Sequence, residues 1–199
     1  MRFSRQAGPC NKTLQLGFTL AETMIVLVIA AMMITLAIPR VDVTRYKADA
    51  IAQIVRTQLQ NASRSAITRQ HDVIVSFDTL GQQMVTAFDA NNNGVVDSGE
   101  RVSYRGLDTG ILFADPAVNG VSGSAITSPI SGASIGVVNG MPSLTFHRDG
   151  SVSSDAEVYV SIAARGPKMY RALVLTQATG RVDWYRLNTT TNKWVIAGL

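Results

Sequence analysis

The segment 89–100 has the residue types and the spacing of a loop that binds a hard divalent cation. Every fixed position matches the pattern D-x-[DN]-x-[DN]-G-x5-E, with Gly94 at the sharp turn. Calcium takes about six to eight oxygen ligands from carboxylates, amides and carbonyls. The predicted ligands are Asp89, Asn91, Asn93, the backbone carbonyl of Val95, Asp97 directly or through water, and both carboxylate oxygens of Glu100.

A second interpretation of the same loop needs no metal. Asn93-Gly94 is a strong hairpin turn, and the residues on both sides of the loop have the composition of strands, whereas calcium loops of this pattern join two helices. Asn at two ligand positions also lowers the charge, so any calcium site would be weak. The sequence therefore predicts no required cofactor and leaves calcium as the possible one.

Residues for enzyme chemistry are not arranged in a recognisable pattern. His71 and His147 are the two histidines, and neither has metal-ligand spacing to a partner. The chain has no G-x-S-x-G, phosphate-binding loop or dinucleotide-binding motif. Arg165, Lys168 and Arg171 form a basic cluster that we interpret as a solvated face. The prediction is a protein that is not an enzyme.

Glu22 lies at the start of a long apolar run. Residues 18–38 are otherwise almost entirely apolar and, as a helix, would measure about 31 Å, which matches one membrane crossing. A carboxylate in lipid costs roughly 2.5–3.5 kcal/mol on insertion scales, so Glu22 is a candidate functional residue.

The residues before the apolar run form a basic leader. Arg2, Arg5 and Lys12 lie there with no acid, and the small residue Gly17 precedes the run. A secretory signal is cut after its apolar segment, whereas a cut after Gly17 would keep that segment on the mature chain. The alternative is an uncleaved signal anchor.

These positions resemble the type III signal of type IV prepilins and type II secretion pseudopilins. Gly17 matches the residue before the cut, Phe18 the new N-terminus, Glu22 the fifth residue after the cut and Pro39 the helix-bending proline at the twenty-second. The resemblance covers about the first forty residues. It implies cleavage by a prepilin peptidase between Gly17 and Phe18, N-methylation of Phe18, and roles in assembly for Glu22 and Pro39.

Charge and cysteine usage fit an exported domain. The formal charge is +4, but removal of residues 1–17 takes three of eighteen basic residues and none of fourteen acids, which leaves +1. Positive leader residues stay cytoplasmic, so the C-terminal part is delivered outward. Cys10 is the sole cysteine, so the mature chain would form no disulfide in the periplasm.

The remaining sequence predicts an α+β fold, and the resemblance implies that it is of the type IV pilin kind. Apolar positions recur every three or four residues between 51 and 66, so an amphipathic half-helix over 39–70 follows the transmembrane helix 18–38. From residue 71 to 199 the pattern predicts a mainly antiparallel sheet packed on that helix, as a periplasmic domain. Residues 114–142, rich in Gly, Ser and Pro, predict an irregular insertion. Strands are predicted near residues 73–77, 84–88, 144–148, 158–162, 171–176 and 181–185.

Two turn segments in this domain resemble the pseudopilin H and FimT/FimU family. They are Phe146-His147-Arg148-Asp149-Gly150-Ser151 and Thr179-Gly180-Arg181-Val182. The resemblance implies a minor pseudopilin of a type II secretion system. Its partners would be the prepilin peptidase, other pilins or pseudopilins and the inner-membrane assembly platform. It would wait in the inner membrane with one span and then enter a periplasmic pseudopilus.

Two other functions stay open at this point. One is a minor type IV pilin that primes pilus assembly or contacts DNA, the one case in which nucleic acid is an expected partner. The other is a calcium-dependent binding module on a pilin anchor.

Overall fold

A computed structural model describes residues 18–37, 43–162 and 169–197. The chain divides into two compact units, one that ends at Asp42 and one that begins at Val43. The predicted leader 1–17, with Gly17, and the predicted bend at Pro39 lie outside the described residues.

The first unit contains helix α1 (Leu20–Ala37). Thr19 lies just before it, and its Oγ1 accepts the backbone N–H of Glu22 at 3.2 Å, which is the geometry of a helix N-cap. The consecutive residues Ile25, Val26, Leu27 and Val28 are each 54–68% exposed. Because consecutive helical residues are about 100° apart, these four side chains surround the helix. The helix is therefore apolar on every side.

Among the residues described, no helix combines the length and the apolar character that a membrane crossing requires. The predicted transmembrane helix 18–38 stays a prediction.

The second unit is organised around helix α2 (Val43–Arg69). Its buried residues recur every three or four positions along its length: Ala48, Ile51, Ala52, Val55, Leu59, Ala62 and Ala66. This spacing places them on one face, which packs on strands of two different sheets. Helix α2 lies within the range 39–70 predicted for the amphipathic half-helix and measures about 40 Å at 1.5 Å per residue.

The strands form two antiparallel sheets. The first has the order β3-β2-β1-β7-β6, and its strands are β1 (Asp72–Asp78), β2 (Gln83–Asp89), β3 (Val102–Gly106), β6 (Gly136–Val138) and β7 (Met141–Phe146). The second has the order β11-β10-β9-β8-β4, with β5 also paired to β8. Its strands are β4 (Ile111–Phe113), β5 (Ile130–Gly132), β8 (Ala156–Ile162), β9 (Met169–Thr176), β10 (Arg181–Asn188) and β11 (Lys193–Ala197).

The α+β class and the antiparallel pairing are confirmed, but the prediction of one sheet is wrong. Strand composition does not encode which strand pairs with which, because pairing depends on contacts between distant segments. The predicted irregular insertion 114–142 also holds two short strands, β5 and β6, one paired to each sheet.

Strand β8 is buried on both faces. Val158 and Val160 belong to the core that α2 covers, while Glu157 and Tyr159 point to the opposite side. There the Glu157 carboxylate accepts the backbone N–H groups of Val121 and Ser122 at 3.1 and 2.7 Å, as well as the Tyr159 hydroxyl. The segment predicted as an insertion thus covers the outer face of the second sheet and is held there by a buried acid.

Candidate metal-binding loop and assembly residues

The predicted cation loop connects β2 to β3. The two strands pair antiparallel, and the Phe88 N–H donates to the Arg101 carbonyl at 3.0 Å across the base of the loop. The flanks are therefore strands, as the composition predicted. The loop is a long hairpin connection and does not join two helices.

Asp89 is fully buried at the end of β2. Its two carboxylate oxygens accept the N–H of Asn93 at 3.1 Å and that of Gly94 at 2.6 Å. Gly94 has a φ of 77°, a left-handed conformation that glycine adopts without steric cost. The first predicted ligand thus fixes the turn by accepting two backbone donors.

Glu100 closes the other end of the loop. Its Oε1 accepts the N–H of Ala90 at 2.8 Å, and its Oε2 accepts the N–H of Asp97 at 3.0 Å. Each oxygen accepts one backbone N–H, so this carboxylate holds the two ends of the loop together without an ion.

Asn91, Asn93 and Asp97 converge in the middle of the loop. The side-chain Nδ2 atoms of Asn91 and Asn93 donate to Asp97 Oδ2 at 2.9 and 2.7 Å. Their amide oxygens accept the N–H groups of Asn93 and Val95. Two amide N–H₂ groups thus face the carboxylate at which a cation would lie, and they would have to turn their oxygens inward to ligate it.

The loop places all the predicted ligands near one another, but as a hydrogen-bonded turn. Within the described ranges, no group of three or more acidic, histidine or cysteine side chains is placed to hold a metal. The present arrangement does not fit calcium without rotation of two amides, so calcium binding stays a prediction.

Asn92 is a loop residue whose role the sequence did not indicate. It has a φ of 57°, and its Oδ1 accepts the backbone N–H of Asp72 at 2.7 Å. The loop is thereby attached to the start of β1. Asn tolerates a left-handed backbone better than most residues, which is the one signal for this role in the sequence.

The described assembly residues Phe18 and Glu22 lie at the start of α1. Phe18 precedes the helix and is 80% exposed, and Glu22 is exposed in its first turn. Gly17 and Pro39, the other two residues of the predicted signal, lie outside the described residues. A carboxylate in the first turn of a helix is stabilised by the helix dipole, typically by about 0.3–1 kcal/mol.

An ion cluster joins α2 to the second sheet, and the sequence did not predict it. Asp49 accepts hydrogen bonds from Arg171 Nε at 2.7 Å and from Arg186 Nε and Nη2 at 3.2 and 2.9 Å. Arg171 is only 3% exposed, so its assignment to a solvated face was wrong. The sequence does not show that Asp49 on α2 is the partner of Arg171, because the two residues are more than a hundred positions apart.

His71 directly precedes β1 and His147 directly follows β7, and these two strands pair antiparallel. His147 Nδ1 is 2.8 Å from Asp72 Oδ2, and its ring is part-exposed. His71 Nδ1 is buried and has no hydrogen-bond partner among the described residues.

Comparisons with known proteins give one structural likeness. The chain is similar to the minor pseudopilin EpsH from the Type 2 Secretion System of Vibrio cholerae, with 12% sequence identity and a TM-score of 0.45, over 68% of this chain and 95% of that chain. No protein-family model and no curated protein matches the sequence.

Proposed function

We propose that this protein is an assembly subunit, a minor pseudopilin of a type II secretion system. A prepilin peptidase cuts it between Gly17 and Phe18, Phe18 is N-methylated, and the mature chain waits in the inner membrane before it enters a periplasmic pseudopilus. The observation that carries the proposal is Glu22 in the first turn of a helix that is apolar and exposed on every side.

An exposed apolar helix of this kind requires a partner. Burying one large aliphatic side chain is worth about 1.5–3 kcal/mol, and α1 exposes such side chains from Leu20 to Ile34. Lipid and the helices of other subunits are the two surroundings that cover every face at once. A subunit stored in a membrane and then assembled through the same helix uses both.

Glu22 is the feature that a plain membrane anchor does not need. In a bundle of apolar helices a carboxylate is costly unless it is paired with a cation. After cleavage, the new amino group of Phe18 on an adjacent subunit supplies that cation. The pair would set the height at which a subunit docks, since a wrong height leaves both charges unpaired.

The second unit supplies the part that meets the periplasm. Its core lies between α2 and the two sheets. The segment that contains Ser122, which donates a backbone hydrogen bond to Glu157, covers the outer face of the second sheet. Burial and, next, the hydrogen bond to Glu157 raise the pKa of the Tyr159 phenol, so its hydroxyl stays a neutral donor at physiological pH.

Deletion of the gene, followed by assays of secretion and of surface pili, tests the function. The proposal expects secretion by the type II system to fall while pili persist, and expects the wild-type chain to restore secretion. Loss of pili with normal secretion would support the minor type IV pilin instead. Normal secretion together with normal pili would contradict both.

A further inference from the structure

Strand β11 forms one edge of the second sheet. Its five residues are in register with residues 184–188 of β10, and among the described strands it pairs with β10 alone. The backbone N–H and C=O groups on its other side therefore have no described strand beside them. Such an edge is a template for the backbone of another strand.

The side chains of β11 do not protect this edge. Proteins commonly protect an edge strand with charged side chains, a proline or a bulge. Lys193 is the one charged residue of β11, and it lies at the first position. The other four residues are apolar, and Val195 and Ile196 are 52% and 45% exposed. Because consecutive residues of a strand point to opposite faces, apolar surface is exposed on both sides of the edge.

The other terminal strands that the structure describes differ from β11. β3 has Arg105 at its fourth position, and Arg101 immediately precedes it. β4 and β6 have three residues each. Of the described terminal strands, β11 is thus the one that combines length with apolar side chains.

Trp194 holds β11 in place on the outer face of the second sheet. Its Nε1 donates to the carbonyl of Asn119 at 2.8 Å, and its ring centre lies 5.6 Å from that of Tyr159. These contacts attach the edge strand to the segment 114–142 and to β8. An edge that is ordered in advance lowers the entropy cost of pairing with a partner.

We propose that β11 pairs antiparallel with β11 of a second copy of this chain, so that the two second sheets continue into each other. A two-fold axis through Val195, the middle residue, pairs all five residues of each strand. Val195 of one copy lies opposite Val195 of the other, and Trp194 lies opposite Ile196. Aromatic and β-branched residues placed opposite each other stabilise a strand pair.

The charge of Lys193 favours the antiparallel direction. Lys193 of each copy lies opposite Ala197 of the other, so the two lysines are about 14 Å apart along the strands. Their repulsion is largely screened, because the Debye length is about 10 Å at 0.1 M salt. A parallel pairing in register would place the two lysines side by side, which is unfavourable. Five residues a side bury a small area, so the dimer is weak and reversible.

Disulfide cross-linking of the full chain in neutral detergent tests the pairing. All variants carry Cys10→Ser, because Cys10 is the sole native cysteine. Val195→Cys should form a dimer on addition of diamide, since residues opposite each other in an antiparallel pair have Cβ atoms about 4.5–5.5 Å apart. Tyr104→Cys is the matched control, because Tyr104 is 67% exposed on the edge strand β3. It should cross-link at least about tenfold more slowly, since its copies are not held at disulfide distance.

A mixture of Trp194→Cys chains with Ile196→Cys chains tests the direction of pairing. The mixed dimer should form faster than either homodimer, because these two positions lie opposite each other only in the antiparallel register. Val195→Lys, added to both chains, places two lysines face to face and should slow the mixed cross-link by at least about tenfold. Tyr104→Lys, added in the same way, should leave it unchanged. Melting curves check that each variant is folded.

Two results would overturn the pairing of β11 with its copy. One is a Val195→Cys chain that cross-links no faster than Tyr104→Cys. The other is a Trp194→Cys homodimer that forms as fast as the mixed dimer. Neither cleavage after Gly17 nor secretion enters the measurement, so the proposed function is tested apart from it.

Discussion

At the scale of single residues, Glu22 has two possible roles that a pair of variants separates. It is placed to benefit from the helix dipole and follows the Thr19 cap, and in a filament it would pair with the amino group of Phe18 on a neighbour. Glu22→Gln keeps a residue suited to this capping position but removes the charge, whereas Glu22→Ala removes both.

We expect both Glu22 variants to be cut after Gly17 and inserted, and both to assemble poorly, because the charge is the determinant. Cross-linked filament ladders and secretion assays measure the outcome. Wild-type assembly by Glu22→Gln would show that the local cap matters and the charge does not.

Calcium binding by the loop 89–100 is the second prediction at this scale. Millimolar Ca²⁺ should raise the melting temperature of the chain in detergent, by an amount that grows with the logarithm of its concentration. Ligation requires the amides of Asn91 and Asn93 to turn their oxygens toward Asp97.

The double variant Asp89→Ala with Glu100→Ala should abolish the calcium-dependent increment. Its melting temperature without calcium should also fall, because four hydrogen bonds from backbone N–H groups are lost and three of those groups have no other acceptor in the loop. The increment, and not the starting value, is therefore the measurement. Absence of any shift in the wild-type chain would leave the loop as a metal-free hairpin connection.

At the scale of elements, two turns hold the C-terminal strands against α2. Gly180 has a φ of 60°, and a Cβ built on it would lie 2.6 Å from the carbonyl oxygen of Gly150 and 3.2 Å from Ser63 Oγ. Gly150 itself has a φ of 90°. The two turn segments that carry the family resemblance therefore touch each other.

Gly180→Ala should destabilise the protein by about 2–4 kcal/mol, from left-handed strain together with the clash against backbone. Gly140→Ala is the control, because Gly140 has a φ of 76° but its Cβ would meet nothing within 4 Å. It should lose about 1–2 kcal/mol from strain alone. Denaturant unfolding of both variants measures the difference, and equal losses would rule out the contact between the two turns as a source of stability.

The elements differ in how well the sequence predicts them. Runs of β-branched and aromatic residues predict the central strands β1, β2, β8, β9 and β10, since these are buried and reveal themselves by composition. The edge strand β3 is mostly exposed, and β5 and β6 have three residues each. Such strands form because a neighbour offers unpaired backbone groups, and that neighbour is distant in sequence.

The sequence predicts the candidate loop 89–100 only in part, as it does the strands. Spacing alone brings Asp89, Asn93 and Glu100 into one connection between strands, as predicted. It does not predict the burial of Asp89 or the way the amides of Asn91 and Asn93 face. Those depend on the pairing of β2 with β3 and on hydrogen bonds whose partners the sequence pattern does not identify.

At the scale of the whole molecule, stability of the second unit depends on the ion cluster between α2 and the second sheet. Asp49→Asn should cost about 2–4 kcal/mol, because it leaves the buried Arg171 without its counter-charge; the partial exposure of Asp49 keeps the loss below that of a fully buried pair. Asp183→Asn removes a carboxylate from the exposed Arg181 and should cost less than about 1 kcal/mol. Thermal unfolding compares the two, and similar losses would show that the cluster contributes no more than a surface pair.

The proposed function of the whole chain depends on one event: the basic leader is removed, and the apolar segment stays on the mature protein. Intact-mass and N-terminal peptide mass spectrometry of the membrane-purified protein, beside a Gly17→Val variant, measures that event directly. We predict a mature chain that begins with N-methylated Phe18, and a variant that keeps its leader. A wild-type chain that retains Met1, or one cut beyond Ile38, would contradict the account.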